Sequence, residues 1–306
     1  MLEVTTDLTR PTSSTKNPKG GYATGARASP ERLGPMSTGH LALLSVFCVA
    51  MSSESTDLRN KDRYDETAVM LRAFLHGVGF VAANASRDPT YVQRHLLSYV
   101  AQDLIEAAVS IPQLARSGLL STCKREMRFV LEVAVKLAFI QQQHPELTVE
   151  ERLRTFSKNL DSPSISPMKR VNLEILPNTE HMSFFTETGR VYGRMSEYVH
   201  LSVPQIRERI SAVNDGRTTG FEIDSDAGSL NDLLARALSC SLVFLFHSVG
   251  SHVAGDWLVN ADGTSNEWYF AQSRWIAAMD ASFDYKHERQ DSLPAIQRLR
   301  QDRIRF

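Results

Sequence analysis

Apolar residues recur along this chain every three or four positions, not at alternate ones, from about Asp57 to Asp284. That period predicts helices. The first runs from Asp57 to about Ala82, with Val69, Leu71, Phe74, Leu75, Val78 and Phe80 as its apolar set. Asp88-Pro89 supply a cap and first turn for the next, which reaches Ile111-Pro112 or slightly past it. Gly118 breaks the chain before a third helix, Leu119 to about Gln142. It is almost continuously apolar from Phe129 to Ile140, so it is expected at the centre. His144-Pro145 end it, and a short amphipathic helix follows at Val149 to Leu160. Asp161 to Pro177, with three prolines, reads as a loop. A helix from about Thr179 to Val199 comes next. Ser202, Pro204 and Gln205 then carry the start signals of a short helix that Asn214-Asp215-Gly216 close. Ser229 to about Leu258 reads as one long apolar helix, and Ser265 to Asp284 as the last. No segment has the alternation of a strand. The fold class expected is all-α, a multi-helix bundle.

The ends differ from this body. Residues 1–55 are rich in Ser, Thr, Gly and Pro and lack a sustained period, so they are expected to be a disordered leader. The apolar run Leu41–Ala50 is too short for a membrane helix and far from Met1 for a signal peptide; Met36 and Met51 offer later translation starts. Residues 56–288 form the expected helical domain, and residues 289–306, with Arg298, Arg300, Arg303 and Arg305, a basic tail that is either a solvated, disordered end or a strip that follows RNA phosphates.

Charge narrows the function classes. Lys and Arg total 34 against 35 Asp and Glu, which excludes a wholesale basic coat for nucleic acid but not a local site. Cys48, Cys123 and Cys240 have no paired spacing, the pattern of buried thiols in a reducing cytoplasm. His247, His252 and Asp256 lack the spacing of a metal site, because the histidines are five apart. No Gly-rich phosphate loop, Gly-x-Ser-x-Gly elbow or dinucleotide fingerprint is present. Neither a metal nor a cofactor is expected, nor a membrane partner.

Chemistry concentrates in Arg190 to His200. The helix delivers Arg194 and then His200 to a helix break, six residues and about 120° apart around an ideal helix. Arg190 lies one turn earlier, and Glu197 lies three residues from both Arg194 and His200. Arg128 and Glu132, one turn apart in the most apolar helix, must be paired if buried. The same residue types also fit a plain structural account: a helix-end arginine, a packed histidine bonded to Ser196 or backbone, an Arg190–Glu187 pair and a stapling Arg128–Glu132 bridge.

The run Tyr192…Arg194-Met195-Ser196-Glu197-Tyr198-Val199-His200-Leu201-Ser202, with Arg128-Phe129-Val130-Leu131-Glu132 upstream, resembles the HEPN superfamily, particularly its phage-defence and abortive-infection branches. The resemblance covers about residues 60 to 285. It implies a HEPN-like bundle and a cytoplasmic, metal-independent endoribonuclease acting in defence or as a toxin, with RNA as substrate. Two motifs would meet across a homodimer, and an antitoxin or regulatory protein is a further candidate partner. His200 would move a proton at the 2′-hydroxyl or the leaving 5′-oxygen, which suits an imidazole, whose ordinary pKa is about 6.5. Arg194 would hold the scissile phosphate. Glu197, Arg190, Arg128 and Glu132 would support the pair, and Tyr192 and Tyr198 would stack bases. Met195 departs from the polar residue that catalytic members often carry after the arginine. The alternative is a non-catalytic helical module that binds RNA, a nucleotide or a protein partner.

Overall fold

Two apolar helices carry the core of the computed structural model, which describes residues 60–217 and 222–306. The expected leader, residues 1–55, lies outside the described residues. Eleven α-helices are present among the described residues, and the chain is all-helical there apart from one isolated bridge, Val259–Ser265. In chain order they are α1 (Lys61–Ala85), α2 (Tyr91–Arg94), α3 (Leu97–Arg116), α4 (Leu120–Gln142), α5 (Val149–Asp161), α6 (Asn178–Ser196), α7 (Val203–Asn214), α8 (Asp224–His247), α9 (Ser251–Leu258), α10 (Arg274–Ala281) and α11 (Leu293–Arg303).

α4 and α8 pack side by side at the centre. α1 and α3 cover them on one flank and α6 on another. The apolar runs explain this arrangement. Val130 to Ile140 and Leu233 to Phe246 are almost wholly buried, because helices apolar on most sides need neighbours on most sides. α1 and α8 are both long and apolar enough to cross a membrane, but α8 is mostly buried inside the bundle.

Polar residues set several helix ends. Thr148 caps α5 and Glu151 reciprocates, donor for donor. The fully buried Arg152 donates to the carbonyls of Ile140, Gln143 and His144, so the open C-terminal end of α4 is satisfied by a side chain. Gly118, at φ 68°, makes the left-handed turn between α3 and α4.

Three expectations are corrected. The helix read from Ser229 to Leu258 begins at Asp224 and breaks after His247, restarting as α9. The helix read from Ser265 to Asp284 forms only from Arg274; upstream, Asn266 instead bonds the carbonyls of Leu258 and Trp257. The basic tail is solvated only in part: Arg298 and Arg305 are exposed. Arg289 and Arg300 are buried, and both bond Asp280 and Asp284. Paired guanidiniums lose the water they would otherwise need, so residues 289–306 complete the bundle.

Candidate functional site

The last turn of α6 and the chain that joins it to α7 hold the predicted pair. Val191 and Met195 are buried, which fixes the rotation of α6 and turns Arg194 out to solvent. Met195 therefore points into the core and does not meet a ligand at the surface. α6 ends at Ser196, three residues before the expected Val199, and continues as a turn through Glu197, Tyr198 and Val199. Ser202 caps α7 by accepting from the Gln205 N–H at 3.2 Å, as its sequence predicts.

His200 lies between these two ends and is exposed. The Ser196 hydroxyl, the alternative partner for its ring, donates to the Tyr192 carbonyl at 2.8 Å instead. Arg194 and His200 make no hydrogen bond to each other among the described residues. Glu197 forms no ion pair with either of them, so it does not orient the pair here.

Other cations stand on the elements next to Arg194, and Lys124 feels the charges of both Arg194 and Arg209. Lys124 and Arg125 come from the first turns of α4, and Arg209 from α7. Lys124 stands 3.8 Å over the Tyr198 ring and 3.6 Å from the Glu208 carboxylate. Its pKa is lowered, first by burial and further by the neighbouring charges of Arg194 and Arg209. Arg125 donates to the Tyr198 carbonyl, and Arg209 to the Ser121 hydroxyl at 3.3 Å. Arg125, Arg194 and Arg209 have no acidic partner among the described residues. The sequence reading missed Lys124, Arg125 and Arg209. Lys124 stands one turn before Arg128 on the same helix, which was the available signal.

There is a second, largely buried network. Arg128 donates to the Tyr192 hydroxyl at 2.7 Å and to the Pro163 carbonyl at 3.2 Å. The Glu132 carboxylate lies 3.2 Å from that hydroxyl and 3.5 Å from Arg128. Lys136 bonds Glu132 and the Leu160 carbonyl, each at 2.7 Å. Arg128 and Glu132 thus tie α4, α6 and the loop after α5 together, two residues before Arg194. Both side chains are largely buried and hydrogen-bonded, whereas Arg194 is exposed.

The remaining candidates are committed elsewhere. Arg190 grips Glu187 with two hydrogen bonds, of 2.8 and 2.7 Å, and Arg236 of α8 shares that carboxylate. Arg190 is therefore not a free phosphate ligand. The Tyr192 ring faces the Arg128 guanidinium, 4.9 Å from its centroid. Tyr198 is 8% exposed, lies under Lys124, and donates its hydroxyl to Glu208. Neither tyrosine offers the open ring that base stacking needs.

No cluster of metal-ligating side chains occurs among the described residues. His247, considered above, is buried, with both ring nitrogens hydrogen-bonded to backbone, to Val243 and to Ile175. A cavity of about 260 Å³ beside α7 is walled by Glu208, Arg209, Arg217, Glu222 and Asp226 among others; Arg194 and His200 do not line it. No family model matches the chain, and no curated protein or solved structure matches it either.

Proposed function

We propose that the chain is an RNA-binding protein of HEPN type that cleaves RNA without a metal at Arg194 and His200. One observation carries the reading. Arg194 and His200 are both exposed and without a hydrogen-bonding partner among the described residues, at a corner where Arg125 and Arg209 also lack acidic partners. Guanidiniums without carboxylate partners, on the same stretch as an exposed imidazole, suit a phosphodiester. Arg194 holds the scissile phosphate and offsets the charge that builds on its oxygens. His200 takes the proton of the 2′-hydroxyl as that oxygen attacks phosphorus, or returns a proton to the departing 5′-oxygen. The products are a 2′,3′-cyclic phosphate and a 5′-hydroxyl. The buried Arg128–Glu132–Tyr192 network supports the reading as the base on which the last turn of α6 rests.

A second reading is a non-catalytic module that binds RNA through the same cations. It is favoured by the lack, among the described residues, of any group hydrogen-bonded to the His200 ring. Fluorescence anisotropy of a labelled single-stranded RNA tests the shared step. Affinity falls as salt rises, and Arg194→Ala lowers both affinity and the salt slope. Equal binding by Arg194→Ala and wild type removes both readings.

A further inference from the structure

A cavity of about 580 Å³ opens between α2, the C-terminal end of α4 and the first turns of α9. Gln141 on its wall stands about 24 Å along α4 from Arg125, so the cavity is separate from the corner that holds Arg194 and His200. Buried bonds fix its walls. His95 is buried; its Nδ1 accepts the Leu97 N–H and its Nε2 donates to the Ser248 carbonyl, each at 3.2 Å. Gln141 donates to the Arg94 carbonyl and accepts from the Leu96 N–H. α2, α4 and the link from α8 to α9 are thereby tied together around the space.

The charged groups on these walls are mostly unspent. Asp88 is committed: its carboxylate accepts from the N–H and the hydroxyl of Thr90, each at 2.8 Å. Arg87, Arg94, His252 and Asp256 also line the cavity, and none of the four makes a side-chain hydrogen bond or ion pair among the described residues. Other surface arginines, among them Arg63, Arg190 and Arg217, each grip a carboxylate. The His252 ring folds back over Gly250, where a Cβ would overlap its Cε1 and Nδ1. A side chain at position 250 would therefore turn the imidazole away, and glycine keeps it on the cavity wall.

We infer that this cavity binds a small phosphate monoester that carries free hydroxyl groups, with its phosphate on Arg87 and Arg94 and its hydroxyls towards Asp256. Two guanidiniums offer forked donors that match a dianion. Ionised Asp256 only accepts hydrogen bonds, so it takes hydroxyl donors and repels a second anion. His252 adds a ring nitrogen, and Tyr91, Val249 and Val253 give apolar surface to the carbon skeleton. The volume lies within the range of small-ligand cavities, about 300 to 1,000 Å³. The inference uses none of the residues assigned to RNA cleavage and stands apart from that reading.

Calorimetric titration of the full chain with ribose 5-phosphate, inorganic phosphate and ribose is the test. Ribose 5-phosphate is expected to bind about tenfold more tightly than inorganic phosphate, the increment of one hydrogen bond to a charged group, and ribose not measurably. Arg87→Ala and Arg94→Ala each weaken both anions about tenfold, whereas Arg298→Ala, exposed on α11, changes neither. Asp256→Ala abolishes the preference for the sugar phosphate without weakening inorganic phosphate. Gly250→Ala weakens ribose 5-phosphate, and Arg194→Ala and His200→Ala bind it as wild type does. Circular dichroism checks that each variant keeps the fold. No heat from ribose 5-phosphate at about 10 mM overturns the inference, as does an equal loss in Arg298→Ala and Arg94→Ala. Weaker binding of single-stranded RNA by Arg94→Ala, with the sugar phosphate unaffected, also overturns it and makes the cavity a nucleic-acid contact.

Discussion

The guanidinium of Arg128 donates to the hydroxyl of Tyr192 at 2.7 Å, and this contact helps join the central helix to the helix that presents Arg194. Around it Glu132, Lys136 and the carbonyls of Leu160 and Pro163 complete a network with little access to water. Its removal is felt as stability first and as lost positioning of the α6 end second.

Glu132→Ala leaves Arg128 and Lys136 largely buried without their carboxylate. Such a change costs about 3 kcal/mol. Tyr192→Phe removes only the hydroxyl and costs about 1 kcal/mol. Urea titrations of the two variants rank them in that order; equal midpoints would show the network to be solvated.

Asp280→Asn tests the corrected C-terminus. Asp280 accepts from Arg289 at 2.6 Å and from Arg300 at 2.7 Å, and both arginines are buried. The variant loses about 3 kcal/mol, whereas Arg298→Ala, an exposed position on the same helix α11, changes stability by less than about 0.5 kcal/mol. A solvated tail would leave both variants at wild-type stability.

Acid destabilises the fold through two histidines. Burial lowers His95 and His247 to about 4. Each accepts a backbone N–H on one ring nitrogen, from Leu97 and Ile175 respectively, and that bond is lost on protonation. The unfolded chain takes up these protons near pH 6.5 and the folded chain near pH 4. Stability is therefore full above about pH 6.5 and falls as the pH drops towards 4, by on the order of 3 kcal/mol per histidine. Chemical denaturation across that range, for wild type and His247→Asn, reads the effect; the variant shows a shallower fall. Identical slopes would mean that His247 does not titrate with unfolding.

Much of the fold was legible from local signals. Ser202 and Gln205 marked the start of α7, Gly118 the turn before α4, and the near-continuous apolar run from Phe129 to Ile140 its central place. The break after His247 was not read, although His247 and Gly250 are helix-stop residues, because apolar residues continue through Val249 and Val253. The fate of the C-terminal arginines was not legible either. Asp280 and Asp284, four residues apart, were visible in the sequence, but only the tertiary fold places Arg289 and Arg300 against both. α7 shows the limit of periodicity most clearly. Its stripe Val203, Ile206, Ile210 and Val213 reads as a buried face, whereas Glu208 and Arg209, bonded to Tyr198 and Ser121, hold the helix with that face outward. Within the candidate site, the Arg190–Glu187 pair was readable from its three-residue spacing, whereas the sharing of that carboxylate with Arg236, 46 residues beyond Arg190, was not.

The most direct test of the account is cleavage of a defined single-stranded RNA by purified wild type, Arg194→Ala and His200→Ala in the presence of EDTA, with product ends mapped. Wild type is predicted to yield 2′,3′-cyclic phosphate and 5′-hydroxyl ends. His200→Ala is predicted to lose at least about 100-fold in rate while still binding RNA, the scale expected for a proton-transferring group. Undiminished cleavage by His200→Ala, or intact RNA with all three proteins, would contradict the ribonuclease assignment.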